Sequence, residues 1–278
     1  MPRVKARGIA FFVAAAKGGC PIKPSYTDGV ITIYHDDCLT VMPFLAENGV
    51  VADMIITDPP YGISRNVIIK RGESTKFSGG DISLYFGPWD DFAGEEDFWG
   101  FTLAWIRAAD KLLRPGGMFC SFFDRDKINF LSAFLQKSLG YKQKGYFLWI
   151  KPNPVPQVRK VKFMNAWEAC GMWQKPGGPL TFNWRFGQHP DYLILPTNAD
   201  GKRLHPTQKP LRLAETLVAY WSRPGDLILD PFLGSGTTAL AAKRLGRKCI
   251  GIEQDEKYCR IAAERCRQGF LQFDAGGG

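Results

Sequence analysis

Apolar residues fall along this chain in two rhythms: short continuous runs, and stretches spaced three and four apart. Val30–Tyr34 reads as a short strand ending at Asp36-Asp37, and Ala52–Thr57 as a second run stopped by Asp58-Pro59-Pro60. Phe98 to Leu113 carries apolar positions at helical spacing and ends in Arg114-Pro115-Gly116-Gly117, a helix stop followed by a turn. Met118–Phe123 then reads as a buried strand, Lys127–Leu139 as a helix and Gly145–Ile150 as a strand. In the last third, Pro210–Trp221 is an amphipathic helix with Leu211, Leu213, Leu217, Val218 and Trp221 inward. Asp226–Leu229 is a strand, Gly234-Ser235-Gly236-Thr237-Thr238 opens a helix through Leu245, Lys248–Ile252 is a strand ending at Glu253, and Glu256–Cys266 is a final helix. Helices alternating with apolar strands predict a mostly parallel sheet covered on both faces.

With 278 residues, 45% of them hydrophobic and 23% charged, the chain is long enough to bury a sizeable core, and disorder and fibre classes are excluded. The longest apolar run, Ile9–Ala16, is too short to span a bilayer, and no membrane partner is expected. Arg3, Lys5 and Arg7 precede that run, but Lys17-Gly18-Gly19-Cys20 is not a signal-peptide cleavage site, so an N-terminal arm or strand is the better reading. Seven cysteines, none two to four apart, and three histidines without helical pairing suit a reducing compartment and no metal site.

The net charge of +9 favours a polyanionic partner or an anionic surface. Two stretches concentrate it. From Ile63 to Asp91 there is no period, which reads as a long functional loop carrying Arg65, Lys70, Arg71 and Lys76. Between Tyr141 and Arg185, basic residues that include Arg159, Lys160, Lys162 and Arg185 are interleaved with Phe163, Trp167, Trp173, Phe182 and Trp184 and set against Glu168 alone. That is the composition of a nucleic-acid face, or of a basic surface over an aromatic core edge.

Two constellations carry chemistry. Gly234-x-Gly236-x-x-Ala239 follows a strand and opens a helix, and Glu253 stands at the tip of the next strand, where a carboxylate can accept both hydroxyls of a ribose. NAD and S-adenosylmethionine both fit a ribose-binding acid. The unit lies near the end of the chain with no second mononucleotide half after it, and Asp230-Pro231-Phe232 supplies a carboxylate for a cationic amino-acid end and an aromatic for adenine, which suits S-adenosylmethionine better. Asp58-Pro59-Pro60-Tyr61 at a strand end is either a stiff structural turn or a rigid pair of acceptors, the Asp58 carboxylate and the Pro59 carbonyl, beside a flat ring. An exocyclic amino group needs such acceptors, because its lone pair is delocalised into the base.

Thr57-Asp58-Pro59-Pro60-Tyr61-Gly62, His205-Pro206-Thr207-Gln208-Lys209-Pro210 and the run from Asp230 to Thr238 together resemble the DNA amino-methyltransferases (N6-adenine and N4-cytosine) of the beta arrangement, over about Val30 to Cys266. Trp149-Ile150-Lys151-Pro152-Asn153 and Asn165-Ala166-Trp167-Glu168 resemble the segment preceding that family's target-recognition region. The resemblance implies an α/β, circularly permuted Rossmann-like fold with a mostly parallel seven-stranded sheet and a small recognition insert, Val30–Tyr34 pairing with Lys248–Ile252. Its implied parts are an extension (1–29), a catalytic part (30–172, with the loop 62–91), a recognition region (173–203), a cofactor-binding part (204–270) and a tail (271–278).

It implies transfer of a methyl group from S-adenosyl-L-methionine to N6 of an adenine flipped out of duplex DNA, with Asp rather than Ser at 58 favouring adenine. N4-cytosine methylation, an RNA or protein-amide methyltransferase of the same chemistry and, in another class, a non-catalytic DNA-binding module are the rivals. Asp58, Pro59, Pro60 and Tyr61 would be catalytic. Asp230, Phe232, Gly234, Ser235, Gly236 and Thr237 would line the cofactor pocket, Glu253 would hold the ribose, Asp37 and Cys38 the adenine edge, and Thr207, Gln208 and Lys209 the methionine end. Arg65, Lys70, Arg71, Lys76, Arg159, Lys160, Lys162, Arg185 and Arg203 are the candidate DNA contacts. A homodimer and a cognate restriction endonuclease are further candidate partners, and the cytoplasm, with nucleoid association through DNA, is the expected location. Asp36 before Asp37 departs from the family's usual Gly-Asp, and the extension (1–29) lies outside the stretch that carries the resemblance.

Overall fold

The computed structural model describes residues 22–63, 68–69, 82–83, 90–155, 161, 163–201 and 204–268. In chain order the elements are β1 (Tyr26–Thr27), β2 (Ile31–His35), α1 (Cys38–Glu47), β3 (Ala52–Thr57), β4 (Ile68–Ile69), β5 (Ile82–Ser83), α2 (Glu95–Leu112), β6 (Leu113–Phe123), α3 (Ile128–Leu139), β7 (Lys142–Ile150), β8 (Trp167–Gln174), β9 (Tyr192–Ile194), α4 (Leu211–Trp221), β10 (Leu227–Asp230), α5 (Thr237–Arg244), β11 (Lys248–Glu253) and α6 (Glu256–Gln268).

Among the described residues the main sheet has nine strands rather than seven, in the order β1-β2-β11-β10-β3-β6-β8-β7-β9. The two beyond expectation are edge strands of two and three residues, too short to leave a period in the sequence. The sheet is mixed: β1 runs antiparallel to β2, and β8 antiparallel to both β6 and β7. β4 and β5 form a separate antiparallel pair. The expected pairing of the first and last long strands holds, with β2 parallel to β11 and Ile33 opposite Gly251.

Both faces of the sheet are covered, and the strands show the two-residue alternation this requires. Ile55 and Phe119 join the core with α1, α2 and α3, whereas Met54, Ile56, Met118 and Cys120 join the core with α4, α5 and α6. Such strands read as continuous apolar runs because neither side meets water. The parallel strands β2, β11, β10, β3 and β6 end at one edge, so His35, Glu253, Asp230, Thr57 and Phe123 share it. In an open α/β sheet, a ligand crevice forms at that edge.

Helix α1 has no counterpart in the hydrophobic reading. Pro43 lies inside it, and its clearest signal is Asp37, whose carboxylate caps the start by accepting the Leu39 amide at 2.7 Å. Among the described residues, no helix is long and apolar enough to cross a membrane.

Candidate active site

A cavity of about 270 Å³ opens at the shared strand edge. Asp58 and Pro60 line one side of it, and Asp230, Gly234, Ser235 and Glu253 line the other. The two constellations, 176 residues apart in sequence at Asp58 and Gly234, therefore face one space. They are tied at their roots: the Thr57 hydroxyl donates to the Asp230 carboxylate at 2.7 Å, across the adjacent ends of β3 and β10.

On the Asp58 side the carboxylate is already engaged. Its Oδ1 accepts the Tyr61 hydroxyl at 2.6 Å, and its Oδ2 accepts the Lys209 ammonium. Lys209 also reaches Glu168 at 3.1 Å, and Glu168 pairs with Lys151 at 2.8 Å. Two carboxylates and two ammonium groups thus form a neutral chain at the cavity wall, which is how charge survives burial. Burial pushes the Asp58 carboxyl up against the pull of Lys209. Burial would raise Glu168 too, but Lys209 and Lys151 outweigh it and hold that carboxyl down to about 2. Burial works against the Lys209 charge, and Asp58 with Glu168 keeps the ammonium above the usual lysine range. A carboxylate offers about four acceptor positions, so each Asp58 oxygen retains one for an incoming donor. Tyr61, pinned by its hydroxyl, packs its ring against Phe123 at 5.8 Å between centroids.

On the glycine side, Glu253 accepts the Gly234 amide at 2.7 Å and the Asp255 amide at 2.9 Å, which fixes its carboxylate at the cavity while lone pairs remain for diol hydroxyls. Burial raises the Glu253 carboxyl. Burial raises Asp230 as well, to about 6, despite the hydrogen bonds from Thr238, Thr57 and the Phe232 amide. The two glycines do different work. Gly234 sits at φ +54° with only the His205 ring, 4.0 Å away, near its missing Cβ. At Gly236, φ +83°, a Cβ would stand 2.7 Å from Ala262 Cβ, so this glycine lets α5 and α6 approach.

Of the other expected cofactor residues, Asp37 and Cys38 line the cavity from the start of α1, and burial pushes the Cys38 thiol up. Thr207 lines it too. Gln208 is buried with its Oε1 accepting from the Leu204 amide and the Ser235 hydroxyl, and the Thr237 hydroxyl donates to the Lys209 carbonyl at 3.4 Å. Phe232 lines the cavity and meets Trp105 edge-on at 5.3 Å. Gly236 is absent from the lining, for the packing reason above. Lys209, expected at the methionine end, spends its ammonium on Asp58 and Glu168.

The expected DNA contacts fare differently. Arg65, Lys70, Arg71, Lys76, Arg159, Lys160, Lys162 and Arg203 lie outside the described residues, as does most of the 62–91 loop. Arg185 is not brought to the site. It sits in a single helical turn (Trp184–Phe186) that follows Asn183, whose side chain donates to the carbonyls of Ala219 and Ser222 at the C-terminal end of α4; this is the sheet edge opposite Asp58. Trp173 is no surface aromatic either: it belongs to β8 and is fully buried, whereas Phe163 is 96% exposed. Among the described residues, no three His, Cys, Asp or Glu side chains are grouped to hold a metal ion.

Four residues to which the sequence assigned no site role support the site. Arg265 of α6 donates to the Ser235 carbonyl at 2.7 Å, bracing the glycine turn. Lys127 and Asp90 bind the backbone after Pro60, and Lys151 completes the charged chain. Their partners lie far away in the chain, so no local spacing announces them.

Fold and cavity together define an α/β protein with a crevice at a strand edge and the Asp58 carboxylate set into its wall; Pro59 and Tyr61 of the same turn stand behind that lining. The DNA methylase family profile matches residues 52–193 and 184–264. The chain is similar to the Type II methyltransferase M2.DpnII of Streptococcus pneumoniae, 30% identical over 261 residues that cover 87% of this chain and 92% of that protein. It is also similar to the Type II methyltransferase M.HinfI of Haemophilus influenzae, 29% identical over 89% of this chain and 71% of that one. Among solved structures, the M1.HpyAVI–SAM complex superposes with a TM-score of 0.65 at 30% identity, over 84% of this chain and 99% of the other. The cytosine-N4-specific PvuII DNA methyltransferase shares the fold, with a TM-score of 0.67 at 20% identity and 91% of each chain covered. The chain belongs to the N6/N4 DNA methylase family.

Proposed function

We propose that this protein is an S-adenosyl-L-methionine-dependent DNA adenine-N6 methyltransferase acting on a nucleotide flipped out of duplex DNA. The observation that carries the reading is the common cavity of the Asp58 turn and the Gly234 bend. The residues there suit a sulfonium cofactor: Asp230 and Glu253 give its cationic form negative neighbours, Glu253 is fixed to receive a ribose diol, and the aromatic Phe232 offers a face to adenine. Bound there, the cofactor would supply the methyl group. The parallel pairing of β2 with β11 supports reading the domain as circularly permuted, with the cofactor half (204–270) following the catalytic half.

Asp58 and the Pro59 carbonyl would accept the two N–H bonds of the target amino group and hold its nitrogen lone pair toward the methyl carbon. Two prolines keep that acceptor pair stiff, and the pinned ring of Tyr61 gives the base a flat neighbour. Because burial raises the Asp58 carboxyl, it is also a suitable resting place for the proton lost after transfer. Orientation supplies most of the acceleration, since the reacting atoms need only be held near contact and in line. Aspartate at the head of the turn favours adenine.

The test is to incubate the purified protein with the cofactor and unmethylated duplex DNA, digest to nucleosides and analyse by mass spectrometry. N6-methyladenine is the expected product. N4-methylcytosine would overturn the choice of base, and DNA binding without any methylated nucleoside would favour a non-catalytic module.

A further inference from the structure

The catalytic turn has an unusual supply of backbone groups. Pro59 and Pro60 have no N–H, so the first amides able to anchor it are those of Tyr61, Gly62 and Ile63. All three go to one carboxylate. Asp90 Oδ1 accepts the Tyr61 and Gly62 amides, each at 2.7 Å, and its Oδ2 accepts the Ile63 amide at 3.0 Å. The side that presents carbonyls meets a cation: Lys127 Nζ donates to the Tyr61 carbonyl at 2.5 Å and lies 3.5 Å from that of Gly62. That ammonium rests 4.0 Å from the centre of the Phe98 ring, and the same ring stands 2.7 Å from where a Cβ of Gly62, φ +61°, would be. Asp90 is 2% exposed, and neither Asp90 nor Lys127 lines the cavity.

We propose that Asp90 and Lys127 are positioning residues for methyl transfer, a clamp of opposite charges that grips the turn's amides from one side and its carbonyls from the other and so fixes the direction of the Asp58 carboxylate and the Pro59 carbonyl. This rests on the reading that the Asp58 turn holds the target amino group. Charge-assisted bonds to one buried carboxylate set three successive peptide planes at once, which a solvated turn cannot do. The clamp acts on geometry and touches neither cofactor nor base, so its loss should slow transfer without weakening binding.

The experiment uses the full chain and four proteins: wild type, Asp90→Ala, Asp90→Asn and Lys127→Met. Single-turnover methyl transfer to duplex DNA, cofactor and DNA dissociation constants, and hydrogen exchange of the 61–63 amides are measured in each. Asp90→Ala should lower the transfer rate about 100-fold, since a misplacement of about 1 Å costs that much, with both dissociation constants within about twofold. Its 61–63 amides should exchange faster. Asp90→Asn keeps a carbonyl oxygen for the Tyr61 and Gly62 amides and should retain the rate to within about fivefold. Lys127→Met should slow transfer with binding intact. A wild-type transfer rate in Asp90→Ala, or cofactor affinity lost in step with the rate, overturns the clamp. If Asp90→Ala does not fold, Lys127→Met decides, and an unchanged rate there overturns it. A wild type that methylates no DNA refutes the functional reading instead, and the exchange data still decide the clamp, which fails if amides 61–63 are as protected in the variants as in wild type.

Discussion

Asp230 is the residue through which pH should reach the cofactor pocket. Burial holds its carboxyl at about 6, so near neutrality it is ionised and below that it takes a proton. A cationic ligand beside it favours the ionised form, so cofactor binding should weaken as pH falls through about 6, by up to tenfold per pH unit. For stability the sign is opposite: a raised carboxyl pKa favours the folded state at low pH, and that contribution is lost as pH rises through about 6. Calorimetric titrations with S-adenosylmethionine across this range check the first statement. Asp230→Asn should flatten the profile, and a flat wild-type profile would contradict it. At this scale the motif residues were legible, because Asp58, Gly234 and Glu253 sit at strand ends that local pattern reveals. The part played by Asp90 and the partner of Glu168 were not: Asp90 holds amides 27 to 29 residues earlier, and Glu168 meets Lys209 only because β8 begins beside the site.

Elements explain why two glycines in one motif should respond differently to the same change. Gly234→Ala meets only the His205 ring at an ordinary contact distance of 4.0 Å and carries only the strain of a left-handed backbone, about 1 kcal/mol. Gly236→Ala adds overlap with the Ala262 backbone and Cβ of α6, raising the loss to about 3 kcal/mol. Thermal or urea melting of the two variants measures the difference; equal losses would show that α5 and α6 can part without cost. Most elements of the last third were readable because their strands and helices are bounded by Gly, Pro and acidic caps. Helix α1 was hidden by Pro43, and β8 by a basic, aromatic composition that also suits a surface. The strand lies between β6 and β7, with Cys170 and Met172 buried on one face of the sheet and Trp173 on the other, so composition alone misjudged it.

Across the whole molecule, one sheet edge gathers what the chain keeps far apart. Five parallel strands end there, and the first and last of the long ones lie side by side, so the Gly234 bend and the Asp58 turn meet although the order along the chain separates them. The alternation of strands and helices made the layered architecture legible. The antiparallel insertion of β8 and the two short edge strands follow from tertiary pairing, which has no local code. The placement of Arg185 at the opposite edge likewise depends on where Asn183 docks on α4. The most direct measurement compares wild type with Asp58→Ala, following labelled methyl transfer from S-adenosylmethionine to duplex DNA together with the cofactor dissociation constant. The variant should keep its cofactor affinity within about threefold and lose at least about 1,000-fold in turnover; a variant that still methylates DNA at a comparable rate, or one that loses the cofactor with the activity, would contradict the shared site.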